Sequence, residues 1–185
     1  DVIDTHSYQV VAKVVATGTN LDGVVYAPNT GEIYVASDDN NVLDAISIRN
    51  GFSQTASYAL TPSSTGPDVP MYAKGMSYVP DGGVVDAGNP ATGAIENAPT
   101  LVSSGAVKPG VYDPVTNSFV FGSTDNQLEV VSGNGAGGIG GVIKTIAIAG
   151  STDEAAIDVR SRLAFFGDKA GQVDVVSLDS MKVVA

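Results

Sequence analysis

The last twelve residues, DVVSLDSMKVVA (residues 174–185), align without a gap on the first twelve, DVIDTHSYQVVA (residues 1–12). Asp, Val, Ser, Val, Val and Ala are identical between the two. A chain that closes on its own opening occupies the same phase of an internal repeat at both ends, so the period decides the fold.

Three further stretches carry that repeat. They are GVVYAPNTGEIYVASDDNNVLDAISI from Gly23, PGVYDPVTNSFVFGSTDNQLEVVS from Pro109 and EAAIDVRSRLAFFGDKAGQVDVVSL from Glu154. Each reads as an apolar strand, a turn, an aromatic-rich strand, a polar Asp/Asn/Gly turn and an alternating third strand. GMSYVPDGGVVDAGNPATGAIEN from Gly75 reads as a degenerate fourth copy, delayed by the long stretch TPSSTGPDVPMYAKG. Taking Pro28, Pro80, Pro114 and Val159 as equivalent corners gives steps of 52, 34 and 45 residues. Fourth strands are legible in VVAKVVATG from Val10 and VIKTIAIAG from Val142.

A period of about 40 to 45 residues holding four short strands is the pattern of a β-propeller blade. Alternation in QVDVVSL suits a half-buried strand, and the continuous apolar run in RLAFF suits a central one. PNTG, PDGG, DDNN and KAGQ supply residues that tolerate turn dihedrals. No window is long and amphipathic enough for a helix. The expectation is therefore all-β, a single propeller domain or propeller segment of four-stranded antiparallel blades. Terminal strands occupy residues 1–18, and blades span about 19–61, 62–104, 105–150 and 151–185.

These residues also resemble a known family. VIDTHSYQVVAKV, YAPNTGEIYVAS and YDPVTNSFVFGS are similar to the YVTN-type propeller repeats of bacterial and archaeal surface and periplasmic proteins. The resemblance runs over almost the whole chain and is weakest from Thr61 to Ser104. It implies a propeller in an extracytoplasmic setting and no particular activity. YVAS and DAISIRN depart from the family strand and hairpin in the first full blade, so loop functions do not carry over.

Composition narrows the function. Nine Lys and Arg against 20 Asp and Glu give a net charge of −11, which repels nucleic acid. Every apolar run is interrupted well short of the ~20 residues that span a bilayer, so membrane insertion is not expected. Without Cys there are no disulfides, thiolate metal sites or thiol chemistry. The chain lacks an initiator Met and opens within a strand pattern, which reads as a processed or excised chain. Few charges, little Lys and abundant Thr, Ser, Asn and Gly fit a periplasmic, secreted or cell-surface location.

Few constellations carry chemistry. His6, the single histidine, falls in a turn and has no evident triad partners. GNGAGG (residues 133–138) matches G-x-G-x-x-G formally, but a strand rather than a helix follows it, so it reads as a hairpin loop. Asp38, Asp39 and Asp125, in SDDNN and STDNQ, offer oxygen ligands for a hard cation, yet lack calcium-loop spacing and equally suit turns. Tyr26, Tyr78, Tyr112 and Ile157 form one column, expected to pack between blades, with a sugar-stacking ring as the alternative. Asp22, Lys74, Lys108 and Asp153 each lie six residues before a corner, where the chain enters the strand lining a propeller channel. They are the expected ring of partner-binding side chains at the channel mouth.

Function is accordingly expected to be non-catalytic, with no cofactor: a scaffold for a protein or glycan partner. Two alternatives stand beside it. One is a surface or filament subunit assembling through its duplicated terminal strand. The other is a metal-dependent hydrolase of the lactonase type. Four hairpins against five third strands leave one strand over. A segment of a larger ring, a small closed ring with a redundant end, and strand exchange between subunits each account for it.

Overall fold

The computed structural model describes residues 1–63, 65–90, 92–97 and 105–185. The boundary expected at residue 104 lies outside them. A short hairpin, β1 (Val2–Ile3) and β2 (Val10–Ala12), opens the chain. Four antiparallel four-stranded sheets follow, each a meander in chain order. The first holds β3 (Leu21–Ala27), β4 (Glu32–Ser37), β5 (Val42–Ser47) and β6 (Ser53–Ala59). The second holds β7 (Met71–Ala73), β8 (Met76–Asp81), β9 (Val84–Asn89) and β10 (Ala94–Asn97). The third holds β11 (Val107–Asp113), β12 (Ser118–Ser123), β13 (Gln127–Ser132) and β14 (Val142–Ala147). The fourth holds β15 (Thr152–Asp158), β16 (Leu163–Asp168), β17 (Val173–Ser177) and β18 (Lys182–Val183). The sheets are the blades of a β-propeller, with the first strand of each innermost and neighbouring the first strand of the next.

Each sheet is apolar on both faces because its central strands are nearly continuous runs, and wherever two blades adjoin the facing surfaces are buried against each other. Three apolar layers result. Tyr34, Leu43 and Ala45 of the first blade meet Val79 and Tyr72 of the second. Tyr78, Val85 and Ala87 meet Phe119, Phe121 and Val131 of the third. Val111, Val120, Leu128 and Val130 meet Ala164, Phe166 and Val176 of the fourth. The middle layer is the most aromatic, with Phe119 4.6 Å from Tyr78 and 4.9 Å from Tyr112 between ring centroids, a tilted geometry that favours aromatic pairs.

Polar groups fix the blades in register. The third strands carry Asp44, Asp86, Glu129 and Asp174, all buried. Asp44 accepts the Thr17 N–H at 2.5 Å, and Asp86 accepts the N–H and hydroxyl of Thr61 at 2.6 and 2.7 Å. Thr17 and Thr61 belong to the segments that lead into the first and second blades. A buried carboxylate thus ties down the incoming connection, satisfying N–H groups that would otherwise be orphaned. Between the last two blades, Arg162 grips the fully buried Asp113 with two bonds of 2.5 and 2.8 Å. Burial pushes the Asp113 carboxyl up, but Arg162, Thr116 and the Val115 N–H outweigh it and hold it at about 2.

The repeat is visible in the backbone at both ends. Tyr8 and Met181, equivalent by the terminal alignment, both take left-handed dihedrals, with φ of 54° and 51°. One expectation needs correction. The innermost strands end at Ala27, Ala73, Asp113 and Asp158, in even steps of 46, 40 and 45 residues. Pro80 is therefore not a corner equivalent to Pro28 and Pro114. It lies inside β8, the second strand of its blade, and the corner is the tight turn at Lys74 and Gly75.

Replacing Phe119 by Ala removes a ring buried between two blades and should cost about 3–5 kcal/mol in urea unfolding. Val115→Ala, at a residue 66% exposed on a turn, should change stability by less than about 0.5 kcal/mol.

Candidate functional site

Each long innermost strand is broken near its start by a β-bulge: between Leu21 and Val24 in β3, Lys108 and Gly110 in β11, and Thr152 and Glu154 in β15. A bulge inserts an unpaired residue and re-aims its neighbours. Pro109 sits at one of these positions, where no ladder N–H is required of it. In the second blade β7 is short. A loop takes the place of the bulge, held by the Asp68 N–H bonding the Pro80 carbonyl at 2.8 Å.

The column at these irregularities, five residues before each strand's end, is Asp22, Asp68, Lys108 and Asp153. Three of the four expected residues are in it. Lys74 is not. It forms the turn after β7 at the opposite end of the blade, where its ammonium bonds the carbonyls of Gly133 and Gly138. The error follows from the misplaced corner at Pro80. Asp68 is the true member, and LDGVVYA and PDVPMYA share the Asp and Tyr-Ala that announce it.

The column converges. Lys108 donates to Asp68 at 2.6 Å, with both side chains largely buried. Desolvation lowers the Lys108 ammonium, but its bond to Asp68 and the charges of Asp68, Asp153 and Asp22 outweigh it and raise it above the ordinary value. Asp22 is exposed at its edge yet partly desolvated by its neighbours. Its carboxyl is pushed up by that desolvation and by Asp68, Asp38 and Glu154, against the opposing pull of Lys108. Residues from all four blades therefore share one electrostatic field, in which Lys108 sits among several acids and Lys169 pairs with Asp153 at 3.3 Å on the exposed side.

Asp81, at the end of β8, lies behind this mouth at 1% exposure. Ser63 donates to one of its oxygens, and among the described residues the other has no partner. Burial first, with the charges of Asp86 and Asp38, raises its carboxyl to about 6.

Asp38 and Asp39 serve the connection from the terminal hairpin into the first blade, and Asp125 the connection from the second blade to the third. Asp39 accepts the Thr19 N–H and hydroxyl, both at 2.9 Å, and the Ser37 hydroxyl. Those bonds, the Thr19 N–H foremost, hold its carboxyl well below the usual range. Asp38 accepts from Asn20 at 2.7 Å, and Asp125 accepts the Gly105 N–H at 2.7 Å. Among the described residues no group of three or more His, Asp or Glu is arranged to hold a metal ion. His6 is exposed in the turn after β1, where its N–H donates to Asp4 at 2.9 Å. The glycine run forms a single 3-10 turn, Ala136–Gly138, followed by β14.

The tyrosine column also shifts. Tyr78 belongs to β8, and the innermost-strand member in that blade is Tyr72, so the column is Tyr26, Tyr72, Tyr112 and Ile157. Tyr72, Tyr112 and Ile157 pack into the layers between blades, while Tyr26 is 53% exposed.

No protein-family model and no curated relative matches the chain. Among solved structures it is similar to the crystal structure of the WD40 β-propeller domain of Doa1. The superposition covers 89% of this chain with a TM-score of 0.67 at 15% sequence identity. The chain folds as a β-propeller. It spans about half of that neighbour, 53% of its length, and at this identity the likeness concerns the fold alone.

Asp81 makes the site pH-sensitive. Its folded value of about 6 exceeds the ordinary 3.8, so the folded state binds the proton more tightly. The stability that this carboxyl contributes is then fully present below the ordinary value and is lost as pH rises through 6. Asp81→Asn, which keeps an acceptor for Ser63, should remove that fall and add on the order of 1–3 kcal/mol at pH 7. Urea unfolding of both proteins at pH 4 and pH 7 measures it.

Proposed function

We propose that this propeller is a non-catalytic binding module that engages a protein partner at its channel mouth. The carrying observation is the convergence of Asp22, Asp68, Lys108 and Asp153, one residue from each blade, on a common field. Glu154 and Asp38 extend its negative character, while Lys108 is already engaged by Asp68. Such a rim favours a cationic side chain presented on a loop or chain end, and charge arranged this way directs orientation and association rate. The chain's overall acidity supports the same preference. The resemblance to YVTN-type repeats, the few charges, the scarcity of Lys and the abundance of Thr, Ser, Asn and Gly support an extracytoplasmic location, so the partner sought is a surface or exported protein.

An oligo-lysine peptide serves as a probe of the mouth. Binding to the native chain should be saturable and weaken as salt rises. Reversing Asp22 and Asp153 to Lys should weaken it at least about tenfold, a difference of roughly 1.4 kcal/mol. Reversing Asp158 and Asp179, at the opposite end of the fourth blade, changes the net charge equally and should have a much smaller effect. Equal losses from the two pairs would show that only net charge matters and would overturn this site.

A further inference from the structure

The two terminal blades each expose an apolar face of the kind that is buried everywhere else in the molecule. On the face that each blade turns to the next, Leu43, Val85 and Leu128 are completely buried, but Val173 at the same position of the fourth blade is 58% exposed. Phe165 follows the same pattern. It occupies the column of Tyr34, Tyr78 and Val120, which are buried, yet lies at the surface of a shallow groove with Ala156 and Val173. On the opposite face, Val107 is buried in the third blade, whereas its first-blade equivalent Leu21 is 46% exposed beside Val24 at 65% and Tyr26 at 53%. The β1–β2 hairpin covers only part of this second face. It leaves an apolar slot of about 210 Å³ lined by Val2, Val14, Leu21, Val24 and Ile33.

Exchange of the duplicated hairpins does not account for these surfaces. If β1–β2 replaced β17–β18 on β16, Thr5 would stand where Leu178 is 1% exposed. His6 would replace Asp179, which holds Arg162 at 2.9 Å. The resident hairpin fits its site better than its copy.

We infer that the occupant of both faces is a second copy of this chain, joined head to tail. The exposed face around Phe165 and Val173 of each copy packs against Leu21, Val24 and Tyr26 of the other. Two observations favour this partner. The opposed faces continue the same columns that make the three apolar layers within the chain. The chain also spans about half of a matching propeller, so a half-turn relating two copies brings the two open ends together at two equivalent seams. A head-to-tail contact closes only when its rotation does, and here it closes at two copies.

Light scattering with size-exclusion chromatography, from micromolar to near-millimolar protein, tests it. The expected mass is twice the 18.7 kDa of the chain. Val24→Lys and Val173→Lys should each weaken dimerisation by about a hundredfold, because each buries an ammonium without a partner. Both side chains are exposed in a single copy, so circular dichroism and the monomer's melting should be retained. Mixing Val24→Glu with Val173→Lys should restore the dimer, since one seam then carries the complementary charges and the other is native. A mass of 18.7 kDa at every concentration would overturn the inference and leave the two faces to some other occupant, whether further blades of the same polypeptide or a different one. So would a ladder of larger species, or a dimer indifferent to both lysines.

Discussion

A four-stranded sheet of seven residues or fewer per strand, apolar on both faces, has no stable existence alone in water. Its two faces must be covered, and a twisted sheet is covered best by another like it. Everything else in this chain follows from that lateral requirement. The paired aromatic and branched side chains of the three layers supply most of the burial. The turns need only return the chain quickly, which their left-handed Gly and Asn residues allow. Stability is consequently distributed along the arc as a series of neighbour-to-neighbour contacts.

Polar chemistry has a narrower task, which is to fix the angle at which one blade follows another. Asp44 and Asp86 of the third strands draw in the incoming connection, and Arg162 bridges the third and fourth blades through Asp113. Leaving such carboxylates without donors would cost far more than their bonds contribute, so these groups act as a check on correct assembly. The channel mouth is a by-product of the same geometry. Bulges at equivalent positions of the first, third and fourth innermost strands, and a loop in the second blade, place one charged side chain per blade in the same column. The proposed partner-binding role rests on that arrangement.

The fold was legible because burial imposes a period, and a period survives when individual residues change. The aromatic second strands and alternating third strands gave three blades directly, and the terminal duplication gave the phase. The second blade was misread for a local reason. Its first strand is shortened to Met71–Ala73, leaving MYA as the only apolar run. The sequence YVP in β8 imitates the YAP and YDP corners of the first and third blades. Asp22, Lys108 and Asp153 were found because spacing alone identifies a column. Asp68 was missed with the corner, and Asp81 was missed because burial around one carboxylate depends on packing between segments distant in the chain. The functions of Asp38, Asp39 and Asp125 were likewise invisible, since a turn carboxylate looks the same whether it binds a cation or a backbone N–H.

The glycine-rich loop after β13 is held from below by Lys74, which reaches it from the preceding blade, and by Ile139, which is wholly buried between the two blades. Its composition would otherwise make it an easy target for a protease, which needs an extended stretch of backbone to cut. Here that stretch is released only when the second and third blades part. Cleavage within residues 133–141 would therefore act as a clock for breathing of the most aromatic layer of the protein, timing a motion that leaves the strands themselves intact.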